Sequence, residues 1–136
     1  MKNVHIAIPK TKTDEILEAS FERINDAYFS GMLDKPNLQW GNASTSKLGC
    51  YEYGSDTITI STIFKKNESK ELLDYVMYHE MLHKKFKFQS RNGRNLHHSS
   101  EFKKMEAKFE SRELMEKEIS RVARKHRLGL RGILKF

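Results

Sequence analysis

The 136-residue sequence has few of the features that mark secreted, membrane-spanning or cysteine-rich proteins. Its single cysteine, Cys50, excludes an intramolecular disulfide and a cysteine-based zinc ribbon. No run approaches about 18 consecutive apolar residues, and the short apolar stretch Val4–Ile8 lacks a small-residue cleavage site. These absences predict one soluble, non-exported domain in a reducing intracellular compartment, which would be the cytoplasm, nucleoid or nucleus.

Positive charge is abundant, and its excess lies in the second half of the chain. Residues 1–68 carry 8 basic and 9 acidic side chains, whereas residues 69–136 carry 17 and 9. Most of the excess comes from two stretches without acidic residues, Met81–Ser100 and Ile119–Phe136. Such clustering indicates a polyanionic partner such as DNA, and a solvated basic surface is the alternative.

The first half of the chain predicts one helix followed by a small sheet. Apolar residues recur at three- and four-residue steps from Thr13 to Gly31, which is typical of an amphipathic helix. Short extended runs separated by turn residues then predict three strands in an antiparallel meander. The strands are expected at Leu38–Trp40, Leu48–Tyr53 and Thr57–Ser61, with a hairpin turn at Gly54–Asp56.

The second half predicts helices. A second helix is expected from about Ser69 to Phe86, and its core positions are Leu72, Leu73, Val76 and Met77. A polar loop at Gln89–Asn95 precedes a third helix, which starts near Ser99 and breaks at Ser111. Residues 111–136 are expected to form a basic helical extension that ends near Arg127, because Gly129 and Gly132 follow. The whole order predicts an α+β fold in a single domain, residues 1–136.

The second predicted helix carries His79-Glu80-Met81-Leu82-His83 in its last two turns. Side chains four residues apart on a helix lie one above the other, so both imidazoles can reach one zinc ion. Glu80 lies one position round the helix, where it can take a proton from a water molecule that the metal activates. The motif therefore predicts a zinc-dependent peptidase with Glu80 as general base. Two histidines on the surface of a helix are the alternative.

A catalytic zinc needs a third protein ligand and an open fourth position. His97 and His98 follow the polar loop at the start of the third helix, so either can complete the set. Glutamates on that helix are the rivals, although a charged helix face is the plainer explanation for them. They are Glu101, Glu106 and Glu110.

Several stretches of the sequence resemble the SprT-like (Spartan-type) metalloprotease domain, over about residues 13–110. They are Phe29, Trp40–Gly49, Ile58–Ser61, His79–His83 and His98–Phe102. The resemblance implies a zincin-like fold in which a third histidine opens the helix after the HExxH helix. In that register the third ligand is His98, and His97 stands where glycine is usual. The implied function is a single-zinc endopeptidase that acts on proteins bound to or crosslinked with DNA.

The chain departs from the family pattern in three places. Ser99-Ser100 replaces the usual Gly-Pro-type pair, the zinc ribbon that often follows the domain is missing, and Val4–Ile8 and the tail after Ser111 lie outside the match. DNA binding would therefore depend on the basic C-terminal residues, since phosphate contacts supply most nonspecific affinity.

Two other functions are compatible with the same residues. A nucleic-acid-binding module with a structural or vestigial zinc site would need a fourth protein ligand and would have no use for Glu80. A peptidase of the glutamate-ligand type would use Glu106 or a neighbour in place of His98. In either peptidase, an extended substrate would pair with the sheet if the strand of Tyr51 or Ile58 borders the cleft.

Overall fold

The computed structural model describes residues 14–66, 70–87, 90–91, 94–95 and 99–134, apart from the side chains at 90, 91, 94, 95 and 128–134. These residues form a helix, a three-stranded sheet, a second helix, a small hairpin and two further helices, which confirms the α+β class. The elements are α1 (Glu15–Tyr28), β1 (Asn37–Gly41), β2 (Gly49–Glu52), β3 (Thr57–Ser61), α2 (Lys70–Lys85), β4 (Ser90–Arg91), β5 (Arg94–Asn95), α3 (Ser100–Glu106) and α4 (Arg112–Leu134).

The three main strands form one sheet. The predicted hairpin of β2 and β3 is confirmed, but the predicted meander order was wrong. β3 lies in the middle, parallel to β1 and antiparallel to β2. β3 carries Ile58 and Ile60, which are completely buried. In its central position, β3 pairs with β1 along one edge and with β2 along the other. The connection at residues 42–48 crosses the end of β3, where the Ser61 hydroxyl donates to Ser44 O at 2.8 Å and accepts from Ser44 N at 3.0 Å.

Helix α1 has a polar cap at each end. The Asp14 carboxylate accepts hydrogen bonds from Ile16 N at 2.8 Å and Leu17 N at 3.3 Å, and so satisfies donors of the first turn. After the helix, Gly31 has a φ of +69° and its N–H donates to Asn25 O at 2.9 Å. Glycine adopts this left-handed conformation without strain. Gly31 therefore ends the helix, as the sequence predicts.

Helix α1 packs along α2 through apolar residues and one charged contact. Leu17, Phe21 and Ile24 are buried against the core. At the edge of this contact, Asp74 of α2 accepts hydrogen bonds from Ser20 Oγ at 2.6 Å and from two guanidinium nitrogens of Arg23 at 2.7 and 3.0 Å. A carboxylate held by three donors fixes the position of α2 along α1.

Helix α2 is buried over most of its circumference. The four predicted core residues Leu72, Leu73, Val76 and Met77 are all buried, as are Tyr78, Met81 and Leu82. The Tyr78 ring contacts Tyr28, Phe29 and Phe109, with centroids 4.7, 5.7 and 5.4 Å away. Close packing on several sides makes α2 a rigid support for side chains at its surface.

The last turn of α2 is tied to the turn between β2 and β3. Lys84 Nζ donates to Asp56 Oδ1 at 2.7 Å, and the Tyr51 hydroxyl donates to the same oxygen at 2.7 Å. Burial raises the pKa of Asp56, but the hydrogen bonds from Lys84 and Tyr51 outweigh it, so the pKa lies below its usual value. The contact holds the residue after His83 against the sheet.

The C-terminal elements confirm some predicted boundaries and correct others. The Ser99 hydroxyl accepts from Phe102 N at 3.2 Å and caps α3, and Ser111, with a φ of +60°, separates α3 from α4 as predicted. A short hairpin, β4–β5, replaces part of the predicted polar loop. Helix α4 continues through Gly129 and Gly132, so the predicted end near Arg127 was wrong. An interior glycine weakens a helix by about 1 kcal/mol but keeps its backbone hydrogen bond, so it does not force an end.

In the part of the chain that the structure describes, no helix is both long enough and apolar enough to cross a lipid bilayer.

Candidate metal centre

His79 and His83 lie side by side on the surface of α2. Their ring centroids are 5.0 Å apart, and both side chains are half-buried. The buried Phe102 ring of α3 packs against both imidazoles, with centroids 5.2 Å from His79 and 4.7 Å from His83. Helical spacing brings the two rings to one face, and Phe102 limits their movement.

Glu80 lies next to the histidine pair and is buried, with 5% of its surface exposed. Burial raises the pKa of its carboxyl to about 7, although the nearby charges of His79 and Lys47 oppose this. A proton acceptor is most effective when its pKa lies near the working pH. Burial therefore gives the Glu80 carboxyl a pKa that is suited to proton exchange near neutral pH.

The carboxyl of Glu80 is buried because β2 approaches α2 closely. A Cβ atom added at Gly49 would lie 2.8 Å from Glu80 Oε2 and 3.0 Å from Val76 Cγ1, so these side chains would have to shift. Glycine allows this approach without any displacement of the neighbouring side chains. The sequence reasoning missed this role, although glycine within a strand pattern is a known sign of close backbone contact.

Glu106, the last residue of α3, contacts the first histidine of the motif. Its Oε2 lies 2.5 Å from His79 Nδ1, and 14% of its side chain is exposed. Burial lowers the pKa of His79, but the hydrogen bond to Glu106 and nearby carboxylates outweigh burial, so the pKa lies above its usual value. The other two glutamates considered as rival ligands, Glu101 and Glu110, are exposed. The contact is made through Nδ1, one of the two ring nitrogens of His79.

His98, the predicted third ligand, and the alternative His97 lie outside the described residues. Among the described residues, no group of three or more His, Cys, Asp or Glu side chains could hold a metal ion. Ser99 caps α3 three residues before Phe102, whose ring packs on both imidazoles. Two neighbouring imidazoles beside a buried carboxylate suit the chemistry of zinc.

The chain is similar to known proteins in sequence and in fold. A model of the SprT-like family matches residues 17–126. The fold is similar to the crystal structure of the metallopeptidase zymogen jannalysin of Methanocaldococcus jannaschii, with a TM-score of 0.57 and 17% sequence identity. The similarity covers 84% of this chain and 94% of jannalysin, and at this identity it shows a shared fold. No curated protein sequence matches the chain.

The close approach of β2 to Glu80 leads to a stability prediction. Gly49→Ala is expected to lower the free energy of unfolding by about 1–3 kcal/mol, because the added methyl group overpacks the contact with Glu80 and Val76. Urea denaturation measures the change. Gly54→Ala is the matched control, since nothing lies within 4 Å of a Cβ there. In a Glu80→Ala background, which removes two of the three nearest atoms, Gly49→Ala should cost less; an equal cost in both backgrounds would contradict the contact with Glu80.

Proposed function

Because the chain belongs to the SprT-like family, we propose that it is a zinc-dependent endopeptidase with Glu80 as the general base. His79, His83 and His98 would hold the metal. The observation that carries the proposal is the buried Glu80 carboxyl beside the paired imidazoles. Histidines that lie on a helix surface without binding a metal have no need of a buried carboxyl. Burying an acid costs free energy, and a function explains why this cost is retained.

The residues of this chain divide the chemistry between them. Zinc, when bound, would supply the Lewis acid that polarises the scissile carbonyl and acidifies water. Glu80 would take the proton from the attacking water and deliver it to the leaving amine nitrogen. Its fixed position between α2 and β2 orients the carboxyl for both transfers, because Gly49 lets the strand lie directly against it.

The sheet offers a binding edge for an extended substrate. Among the described residues, β2 pairs only with β3 and so lies at an edge of the sheet. β3, with Ile58, is the central strand, which leaves β2, with Tyr51, as the edge on the side of Glu80. A peptide that adds to this edge would be held by main-chain hydrogen bonds, which do not depend on its sequence. Broad specificity for unfolded or exposed protein segments would follow.

Exposed basic residues on α4 support a DNA-associated substrate. The helix packs on the core through Met115, Ile119, Val122 and Ala123. Arg121, Arg124 and Lys125 lie on the exposed side, and the Arg121 guanidinium donates to Glu118 at 2.9 and 3.2 Å. Charges three and four residues apart form a face that can lie along a phosphate backbone. We propose that this face binds DNA weakly and brings the peptidase to proteins bound to or crosslinked with DNA.

Metal content tests the ligand set. The purified chain is expected to bind about one zinc, and the His98→Ala variant should lose most of it, because two imidazoles alone hold zinc weakly. Elemental analysis after dialysis measures the content. Full retention of zinc in the His98→Ala variant would rule out this ligand and point to His97 or a glutamate.

Removal of the base tests the activity. Glu80→Gln should keep zinc and fold but slow the cleavage of an unfolded protein by about 100-fold or more, because the amide cannot accept the proton. Cleavage assays on zinc-loaded protein measure the rate. A variant as fast as wild type would remove Glu80 from the mechanism. A wild-type protein that binds zinc and DNA without cleaving protein would instead support a nucleic-acid-binding module with a structural site.

Charge reversal tests the DNA surface. Changing Arg121, Arg124 and Lys125 to glutamate is expected to weaken DNA binding and to flatten its salt dependence, by about 0.7–0.9 in slope for each phosphate that the variant no longer neutralises. Fluorescence anisotropy at several salt concentrations measures both effects, and the substitutions leave the packing residues in place. Unchanged binding at low salt would refute the proposed face. Reversal of Lys103, Lys104 and Lys108, which are also exposed, is the control for net charge, and an equal loss of affinity in both variants would also refute it.

A further inference from the structure

Glu106 lies where it can set the orientation of a metal-binding histidine. Its carboxylate lies 2.5 Å from His79 Nδ1, although the two residues are 27 positions apart in the chain. An ionised carboxylate can only accept hydrogen bonds, so this contact requires a proton on Nδ1. A neutral imidazole that carries its proton on Nδ1 has its lone pair on Nε2, the atom that can then coordinate a metal.

Helix α3 holds Glu106 in this position through contacts on either side. Phe102 packs against both motif imidazoles, and the Tyr78 hydroxyl of α2 donates a hydrogen bond to the carbonyl of Met105, the residue before Glu106. The Glu106 side chain is largely buried, so water competes little for its oxygens. The carboxylate is therefore fixed relative to α2 by the packing of the two helices.

The same geometry argues against Glu106 as the third ligand. Histidines at i and i+4 on one helix share an ion through atoms on the same side of the two rings. Glu106 accepts a hydrogen bond from Nδ1 of His79. A carboxylate in this position orients the imidazole from the side of the ring opposite to Nε2.

We propose that Glu106 is a positioning residue for the metal centre, which holds His79 in the Nδ1–H tautomer and directs Nε2 to the ion. The inference rests on the proposed function, since it assigns His79 as a ligand. Carboxylates that orient metal-bound histidines typically change metal affinity by about 10- to 100-fold. Glu106 raises the basicity of His79 and the zinc affinity of the site without contacting the metal itself.

Zinc affinity and histidine tautomer together test the role. Competition with a chromophoric chelator should show about 10- to 100-fold weaker zinc binding for Glu106→Ala and near wild-type binding for Glu106→Gln, whose amide oxygen still accepts from Nδ1–H. Long-range 1H–15N spectra of the metal-free full chain, at a pH that leaves the ring neutral, should show Nδ1–H for His79 in wild type and Glu106→Gln. The Ala variant should lose this preference. Glu110→Ala, four residues further along and exposed, is the matched control and should change neither measurement.

Several outcomes would overturn the inference. Wild-type affinity in Glu106→Ala would show that the contact does not support the metal site. A loss of zinc in Glu106→Gln as large as in Glu106→Ala would show that Glu106 acts through its charge and not by holding the Nδ1–H tautomer. An Nε2–H tautomer of His79 in the wild-type protein would contradict the proposed hydrogen bond from Nδ1–H to Glu106. If Glu106→Ala fails to fold, the Gln variant and the wild-type tautomer still decide the question.

The result is independent of the proteolytic activity. A chain that binds zinc without cleaving protein would refute the proposed function, while the affinities and tautomers would still measure the role of Glu106. Conversely, normal zinc affinity in a cleaving Glu106→Ala variant would refute only this inference.

Discussion

The structure depends on the burial of α2 between the sheet, α1, α3 and α4. Most of its side chains face the core, and the bidentate contact between Arg23 and Asp74 holds it along α1. At its other end, Lys84 is pulled onto the turn between β2 and β3 by Asp56. A helix fixed at both ends offers a precise place for the two imidazoles, because small displacements of the ligands would weaken an ion site. Every element around the candidate centre is arranged relative to this helix.

The features that suit the candidate centre to its chemistry lower the stability of the fold. Glu80 is a buried acid, and the absence of a side chain at Gly49 leaves room for its carboxyl. Both features cost folding free energy, which the apolar contacts of Met77, Met81 and Leu82 offset. Functional sites commonly retain such costs, since the best packed arrangement of the same helix and strand would contain no carboxyl at all.

The sequence predicted well the features that depend on local spacing. The helical periods of α1 and α2, the position of the motif on α2 and the break at Ser111 all appear where the pattern indicated. The order of the strands could not be predicted in this way, because the central place of β3 depends on burial in the whole sheet. The contact of Glu106 with His79 joins residues 27 positions apart, so no periodicity reports it. The assignment of His98 as the third ligand remains a prediction.

Helix α4 has one side that packs on the core and an opposite side that is exposed and basic. Met115 and Ala123 anchor it to the core, whereas Arg124 and Lys125 project to the exposed side. Substitutions at exposed positions usually change stability by no more than about 0.5 kcal/mol. The proposed attraction to a polyanion can therefore be adjusted by exchanging single exposed residues, with the fold left intact. In this chain, the charge of the outer side of the helix can evolve independently, whereas the inner side is constrained by the core.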